Sequence, residues 1–178
     1  RHQNKLELLL ANADDGATSK IYDEENKYYI EINDNLQFIN DGQSFIFNSE
    51  QSGFNHFYKY NWHTKQTTAL TTGSYDIDQL IGIDAANNKL YYTAAEATPL
   101  ERKLYSVDFD GKNKQCLTKE NGTHAITTIA GYQFFLDKYS QLQQPPIYYL
   151  RSKDGKIVRT LEDNNKLAER MKEYNIGK

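Results

Sequence analysis

The sequence predicts an all-β chain. Three observations carry this: short aromatic and β-branched runs, turn residues between them, and recurrence of the two together at a fixed spacing. Aromatic residues make up 13% of the chain, with 14 Tyr and 8 Phe, as strands on a pleated, half-buried surface require. Between the runs lie Asn40-Asp41-Gly42, Gln51-Ser52-Gly53, Asn87-Asn88, Asp110-Gly111 and Asp154-Gly155. Asp-Gly and Asn-rich pairs supply the positive φ that tight hairpins need.

Taken in order, an incomplete first unit holds Leu6-Glu7-Leu8-Leu9-Leu10, the Asp14-Asp15-Gly16 turn and Lys20-Ile21-Tyr22. The next unit reads Phe45-Ile46-Phe47, Phe57-Tyr58-Lys59-Tyr60 and Ala69-Leu70-Thr71. A third reads Leu90-Tyr91-Tyr92, Leu104-Tyr105-Ser106-Val107 and Cys116-Leu117-Thr118. The fourth reads Phe134-Phe135-Leu136, Tyr148-Tyr149-Leu150 and Val158-Arg159-Thr160-Leu161. The period is about 45 residues, the spacing of four-stranded antiparallel β-propeller blades. A sandwich with regular strand spacing is the alternative on strand pattern alone. The propeller reading divides the chain into a partial blade over 1–35, blades over about 36–80, 81–125 and 126–162, and a C-terminal helix over 163–178. In that helix Asp163-Asn164 offers an N-cap, Gly177 a stop, and Leu167, Met171 and Tyr174 share one face. It either packs on a neighbour or frays as an exposed tail.

Composition removes several classes. Charged residues are 25%, mean hydropathy is −0.81, and no apolar run approaches the roughly 20 residues of a spanning helix. The net charge of −3 gives nothing to draw the chain toward nucleic acid. The chain begins at Arg1 and reads as an excised segment, with any targeting sequence upstream. Asn121-Gly122-Thr123 matches a glycosylation sequon, but so short a motif reads as a chance Asn-Gly turn.

Catalytic and cofactor signals are sparse. No Ser has the flanking glycines of a Gly-x-Ser-x-Gly elbow, and no phosphate loop is present. His2, His56, His63, His124 and Cys116 stand at no ligand spacing, so neither a metal site nor a cofactor is expected. Cys116 reads as a buried small hydrophobe in a strand. Two clusters stand out. Glu50, Gly53 and His56 belong to a connection between strands: Glu50 and His56 either face a ligand or tie a polar hairpin to its backbone. Tyr29, Glu31 and Asn33 combine an aromatic with an acid that would grip a cationic amine at a propeller rim, although ordinary strand alternation explains them equally.

The order and spacing of several motifs resemble the propeller blades of the dipeptidyl peptidase IV family, in a bacterial style. They are Ser49-Glu50, Gly53-Phe54, His56 and Tyr58, then Leu70-Thr71 and Gly73, then Tyr91-Tyr92-Thr93-Ala94 and Glu96. Pro99-Leu100-Glu101-Arg102, Leu104-Tyr105, Leu117-Thr118 and the closing Arg159-Thr160-Leu161-Glu162-Asp163-Asn164 continue the series. The resemblance is clear from about Leu36 to Lys178 and weaker from Arg1. It implies a periplasmic or secreted serine exopeptidase that removes N-terminal dipeptides with Pro or Ala second. Its eight-bladed propeller would screen a hydrolase domain carrying Ser, Asp and His, and would hold the peptide's free amine with paired glutamates. This chain would be the last half of that propeller and the helix leading onward, without the triad and inactive alone. Glu24-Glu25 is not the glutamate pair, since the flanking Tyr22-Asp23 and Asn26-Lys27 read as a turn, and only the stretch from Tyr29 to Asn33 falls near the implied substrate pocket. Implied partners are the peptide substrate, the remaining blades and the hydrolase domain. The runner-up function is a stand-alone propeller that binds protein or glycan through its loops.

A part-propeller also has open edges. Inter-blade faces bearing Phe45, Phe47, Tyr92 and Phe134 are expected to need covering by a second copy, giving a homodimer, or by the C-terminal helix.

Overall fold

The computed structural model describes residues 3–32, 34–39 and 42–174. The chain divides into two compact units, Arg1–Thr72 and Gly73–Lys178.

In the first unit, β1 (Lys5–Ala11) and β2 (Thr18–Glu25) form an antiparallel hairpin. A four-stranded antiparallel meander follows, made of β3 (Gln37–Phe38), β4 (Ser44–Ser49), β5 (His56–Asn61) and β6 (Gln66–Ala69). Ile21 and Tyr22 of β2 pack on Phe45, Phe47, Tyr58 and Tyr60 of the meander. The Tyr22 ring stands edge-on to Phe47 at 4.8 Å and to Tyr60 at 5.0 Å, the geometry in which ring quadrupoles attract.

The second unit holds two more four-stranded antiparallel meanders. One is β7 (Ile77–Asp84), β8 (Lys89–Ala94), β9 (Lys103–Asp108) and β10 (Gln115–Cys116). The other is β11 (Thr123–Thr128), β12 (Phe134–Gln141), β13 (Gln144–Ser152) and β14 (Ile157–Glu162), followed by the helix α1 (Asn165–Met171). Tyr91 and Leu104 of one sheet meet Ile126 and Phe135 of the other, with Leu117 between the strands. The fold is thus all-β, built of four-stranded antiparallel blades, with one short α-helix among the described residues.

Several details differ from the sequence-based expectations. The first strand of each blade, β3, β7 or β11, goes unread in the sequence, because β3 is two residues long and the other two lack aromatics. Boundaries at 80/81 and 125/126 consequently cut through β7 and β11. Phe134 is 40% exposed, and the buried ring beside it on β12 is Phe135, one residue along and on the opposite face. Phe45 and Phe47, expected to need covering by a second copy or by the C-terminal helix, are instead buried against Ile21 and Tyr22 of the β1–β2 hairpin, and Tyr92 is buried as well. Glu24 and Glu25 are not a turn but end β2, whereas Tyr28 to Ile32 form no strand. Cys116 is exposed rather than buried, its Sγ–H directed to Thr118 O at 3.0 Å. The helix is shorter than expected, and its N-cap Asn164 is left-handed at φ 53° with no side-chain cap bond. The Asn164 amide instead donates to Pro146 O at 2.6 Å. Leu167 and Tyr174 are 45% and 64% exposed. Asn40, Asp41 and Gly177 lie outside the described residues.

Candidate functional site

The stretch 26–31, expected at a propeller rim, is held by backbone bonds at Asn26 and Ile30. Asn26 N–H donates to Asn4 O at 2.9 Å, and Ile30 N–H to Gln3 O at 2.8 Å. Asn26 Oδ1 accepts Tyr28 N–H at 3.0 Å, and the Ile30 side chain is buried. Between these anchors Tyr28 and Tyr29 are 71% and 51% exposed, and Glu31 beyond them is also exposed. The Lys27 ammonium lies 5.4 Å over the Tyr28 ring. Tyr29 and Glu31 are thus both open to solvent. Asn33, the third residue expected here, lies outside the described residues.

The β4–β5 connection places its three expected residues apart. Glu50 is exposed, and its carbonyl accepts Gly53 N–H at 2.8 Å across the turn. Gly53 has φ 96°, a conformation open to glycine and strained for other residues. His56 is 1% exposed, with Nδ1 3.1 Å from Thr71 Oγ1. Thr71 Oγ1 also accepts Phe57 N–H at 3.0 Å, while Phe57 O accepts Leu70 N–H at 2.9 Å. The same reciprocal pair recurs 47 positions on (104 against 57): Leu104 N–H donates to Thr118 Oγ1 at 2.9 Å, and Leu104 O accepts Leu117 N–H at 2.7 Å. Lys103 stands where His56 stood, bonded through Nζ to Asn121 Oδ1 at 3.2 Å and paired with Glu101 at 3.3 Å. These Leu-Thr pairs tie the third strand of a blade to the chain leaving its fourth.

Sequence reasoning missed two groupings. On β12 the buried positions alternate Phe135, Asp137, Tyr139, so a carboxylate faces the core between two rings. Asp137 is fully buried and accepts Arg151 Nε–H at 2.7 Å. His124 Nδ1 lies 2.9 Å from its other contact, Asp137 Oδ2, and 3.1 Å from Oδ1. His124 Nε2 faces Glu120 O at 3.1 Å, so both ring nitrogens meet acceptors. Arg151 is 2% exposed and also donates to Gly155 O and to the Glu120 carboxylate, each at 2.9 Å. Burial pushes the Glu120 carboxyl up, but its own backbone N–H and the Arg151 guanidinium outweigh this and hold it below the ordinary range. The cluster is a saturated structural tie. Asp137 at an inward position of an alternating strand was the readable signal for it.

The second missed grouping centres on Glu24. Its Oε1 accepts Ser49 Oγ–H at 2.7 Å and its Oε2 accepts Tyr22 O–H at 3.1 Å. Burial and then the Glu24 charge push the Tyr22 phenol well above its ordinary value.

The model of the dipeptidyl peptidase IV (DPP IV) N-terminal region matches residues 1–146. A probable dipeptidyl peptidase 4 of Trichophyton verrucosum is 27% identical over 143 residues, 79% of this chain and 19% of that protein. A probable dipeptidyl-aminopeptidase B of Paracoccidioides lutzii is 31% identical over 114 residues, 60% of this chain and 12% of that protein. Among solved structures, dipeptidyl peptidase 4 of the bacterium Porphyromonas gingivalis superposes with a TM-score of 0.86 at 30% identity, covering 97% of this chain and 24% of its own. A putative dipeptidyl aminopeptidase IV from Bacteroides ovatus superposes at 0.79 with 21% identity, over 91% of this chain and 26% of its own, a likeness of fold. The chain spans about a fifth of the length of the first of these curated relatives. On the match over residues 1–146, the chain belongs to the family of the dipeptidyl peptidase IV N-terminal region.

Proposed function

We propose that this chain is the non-catalytic propeller portion of a serine exopeptidase that releases N-terminal dipeptides with Pro or Ala in second position. In this reading it screens and shapes access to an active site carried elsewhere in the parent protein, in the periplasm or outside the cell. The observation that carries the proposal is the family match over residues 1–146, joined to a superposition that covers 97% of the chain. The absence of a Gly-x-Ser-x-Gly elbow from this sequence agrees with a screening role. The exposed Tyr29, set between the Asn26 and Ile30 anchors, and the exposed Glu31, just beyond them, form the surface proposed to meet the peptide's amine, with Asn33 two positions further on in sequence. The remaining blades and the hydrolase domain are its proposed partners.

The test uses a chromogenic Ala-Pro anilide. The isolated chain should give no turnover, and the parent protein should turn over in a manner abolished by a serine-directed inhibitor. In the parent protein, Tyr29→Ala and Glu31→Gln should raise KM with little change in kcat. Turnover by the isolated chain, or a parent protein indifferent to the inhibitor, would refute the proposal.

A further inference from the structure

The rim stretch leaves β2 two residues after Glu24, and the Glu24 carboxylate is the point where the end of β2 is fastened to the neighbouring meander. Its two oxygens are used separately, one by Ser49 and one by Tyr22. Both donors are buried hydroxyls at 6% and 8% exposure. Ser49 Oγ in turn accepts Gln51 N–H at 3.0 Å, so the carboxylate is continuous with the β4–β5 turn. A charged acceptor bonds hydroxyls roughly twice as strongly as a neutral one. The alternative anchors of the stretch, at Asn4 and Gln3, lead back to β1, the hairpin partner of β2. Beyond the apolar packing of Ile21 and Tyr22, Glu24 is therefore the polar tie that sets how the hairpin end, and the rim that follows it, stands relative to Ser49 on β4.

We infer that Glu24 is a positioning residue for the rim: it touches no substrate, but through Ser49 it fixes where Tyr29 and Glu31 are presented. The inference rests on the proposed role of that rim. Glu24→Ala leaves the Ser49 and Tyr22 hydroxyls without their acceptor and frees the β2 end, whereas Glu24→Gln keeps one carbonyl oxygen and rescues in part.

The experiment is run on the parent protein with the Ala-Pro anilide, with hydrogen exchange read at the Asn26 and Ile30 amides. In Glu24→Ala, KM should rise about five-fold, the scale of one lost hydrogen bond, with kcat within about two-fold. Glu24→Gln should return most of that rise. Ser49→Ala should mimic Glu24→Ala, and the double variant should be no worse than either alone, as expected of one shared contact. Exchange at the two amides should quicken in Glu24→Ala while the β12 amides, in the other unit, stay protected. An unchanged KM in Glu24→Ala where Tyr29→Ala raises it overturns the inference and leaves the rim reading standing. An unchanged KM in Tyr29→Ala overturns the rim reading, and exchange then decides Glu24 alone: unchanged protection refutes the anchoring, faster exchange upholds it. If Glu24→Ala does not fold, Ser49→Ala carries the same arms.

Discussion

Replacing Asp137 by Ala should be among the most damaging single changes in this chain. The carboxylate is fully buried, and its removal strips Arg151 of the 2.7 Å partner on Nε and His124 of both contacts on Nδ1. Arg151 is 2% exposed; Glu120 and Gly155 O would still hold its Nη atoms, but its Nε would face a buried gap. Breaking a buried ion pair from one side costs about 3–5 kcal/mol, chiefly because the surviving charge is stranded. Against a total stability of roughly 5–15 kcal/mol, that is a third or more of the whole. Urea unfolding followed by far-UV circular dichroism measures the loss. The single tryptophan, Trp62, lies in the Arg1–Thr72 unit and gives a separate fluorescence signal for it. The dichroism midpoint should fall further than the fluorescence midpoint if the damage is local to the Gly73–Lys178 unit. Asp137→Leu combined with Arg151→Met should recover much of the loss, since the stranded charge is gone. A loss below about 1 kcal/mol for Asp137→Ala, or a double variant as unstable as the sum of the singles, would refute the argument that burial makes this pair interdependent.

Three further outcomes are expected. Thr118→Val removes the acceptor of Leu104 N–H at a fully buried site, and should cost about 1–3 kcal/mol in the same urea assay. Gly155→Ala should be at least as harmful: a Cβ there would lie 2.0 Å from Leu117 O, and φ is 82°, a strain of about 1–3 kcal/mol before the clash is counted. Its soluble yield and melting temperature should fall together. Glu120 titrates lower in the folded state than in the unfolded chain, so it stabilises the fold above the ordinary glutamate range and loses that contribution as pH drops through its folded value. Acid unfolding of Glu120→Gln should accordingly be less steep than that of the unmodified chain between about pH 5 and pH 3.

The strand-rich fold was legible because its inner strands are written in aromatics: Phe45-Ile46-Phe47 and Leu90-Tyr91-Tyr92 have few other uses in so polar a chain. The first strand of each blade was not legible, since β11 reads Thr-His-Ala-Ile-Thr-Thr and owes its state to hydrogen bonding with β12 rather than to propensity. Tyr29 and Glu31 could be singled out by type, but their exposure depends on backbone bonds to Gln3 and Asn4 at the far end of a hairpin, a contact no local pattern announces. Glu24 was misread for a related reason. Acidic pairs beside Asn and Lys look like turns until a partner such as Ser49 arrives from 25 residues away.

The two groupings that hold the blades together also explain each other. In the meanders β3–β6 and β7–β10, the second residue of the third strand, Phe57 or Leu104, gives its N–H to a threonine just past the fourth strand. In the meander β11–β14 the second residue of the third strand is Pro145, which has no N–H to give. The threonine of a Leu-Thr pair would find no N–H to accept there, and the chain leaving β14 instead reaches Pro146 O through the Asn164 side-chain amide. The stronger tie moves to the other end of β13, where Arg151 joins Asp137 on β12, Gly155 in the next turn and Glu120 in the segment before β11. Glu120 lies just beyond the Leu117-Thr118 pair of the preceding meander, so the ionic cluster fastens one blade to the next as well as strand to strand. That double duty is the physical reason to place the largest mutational cost at Asp137 and a smaller one at Thr118, whose hydroxyl serves a single backbone amide within one blade.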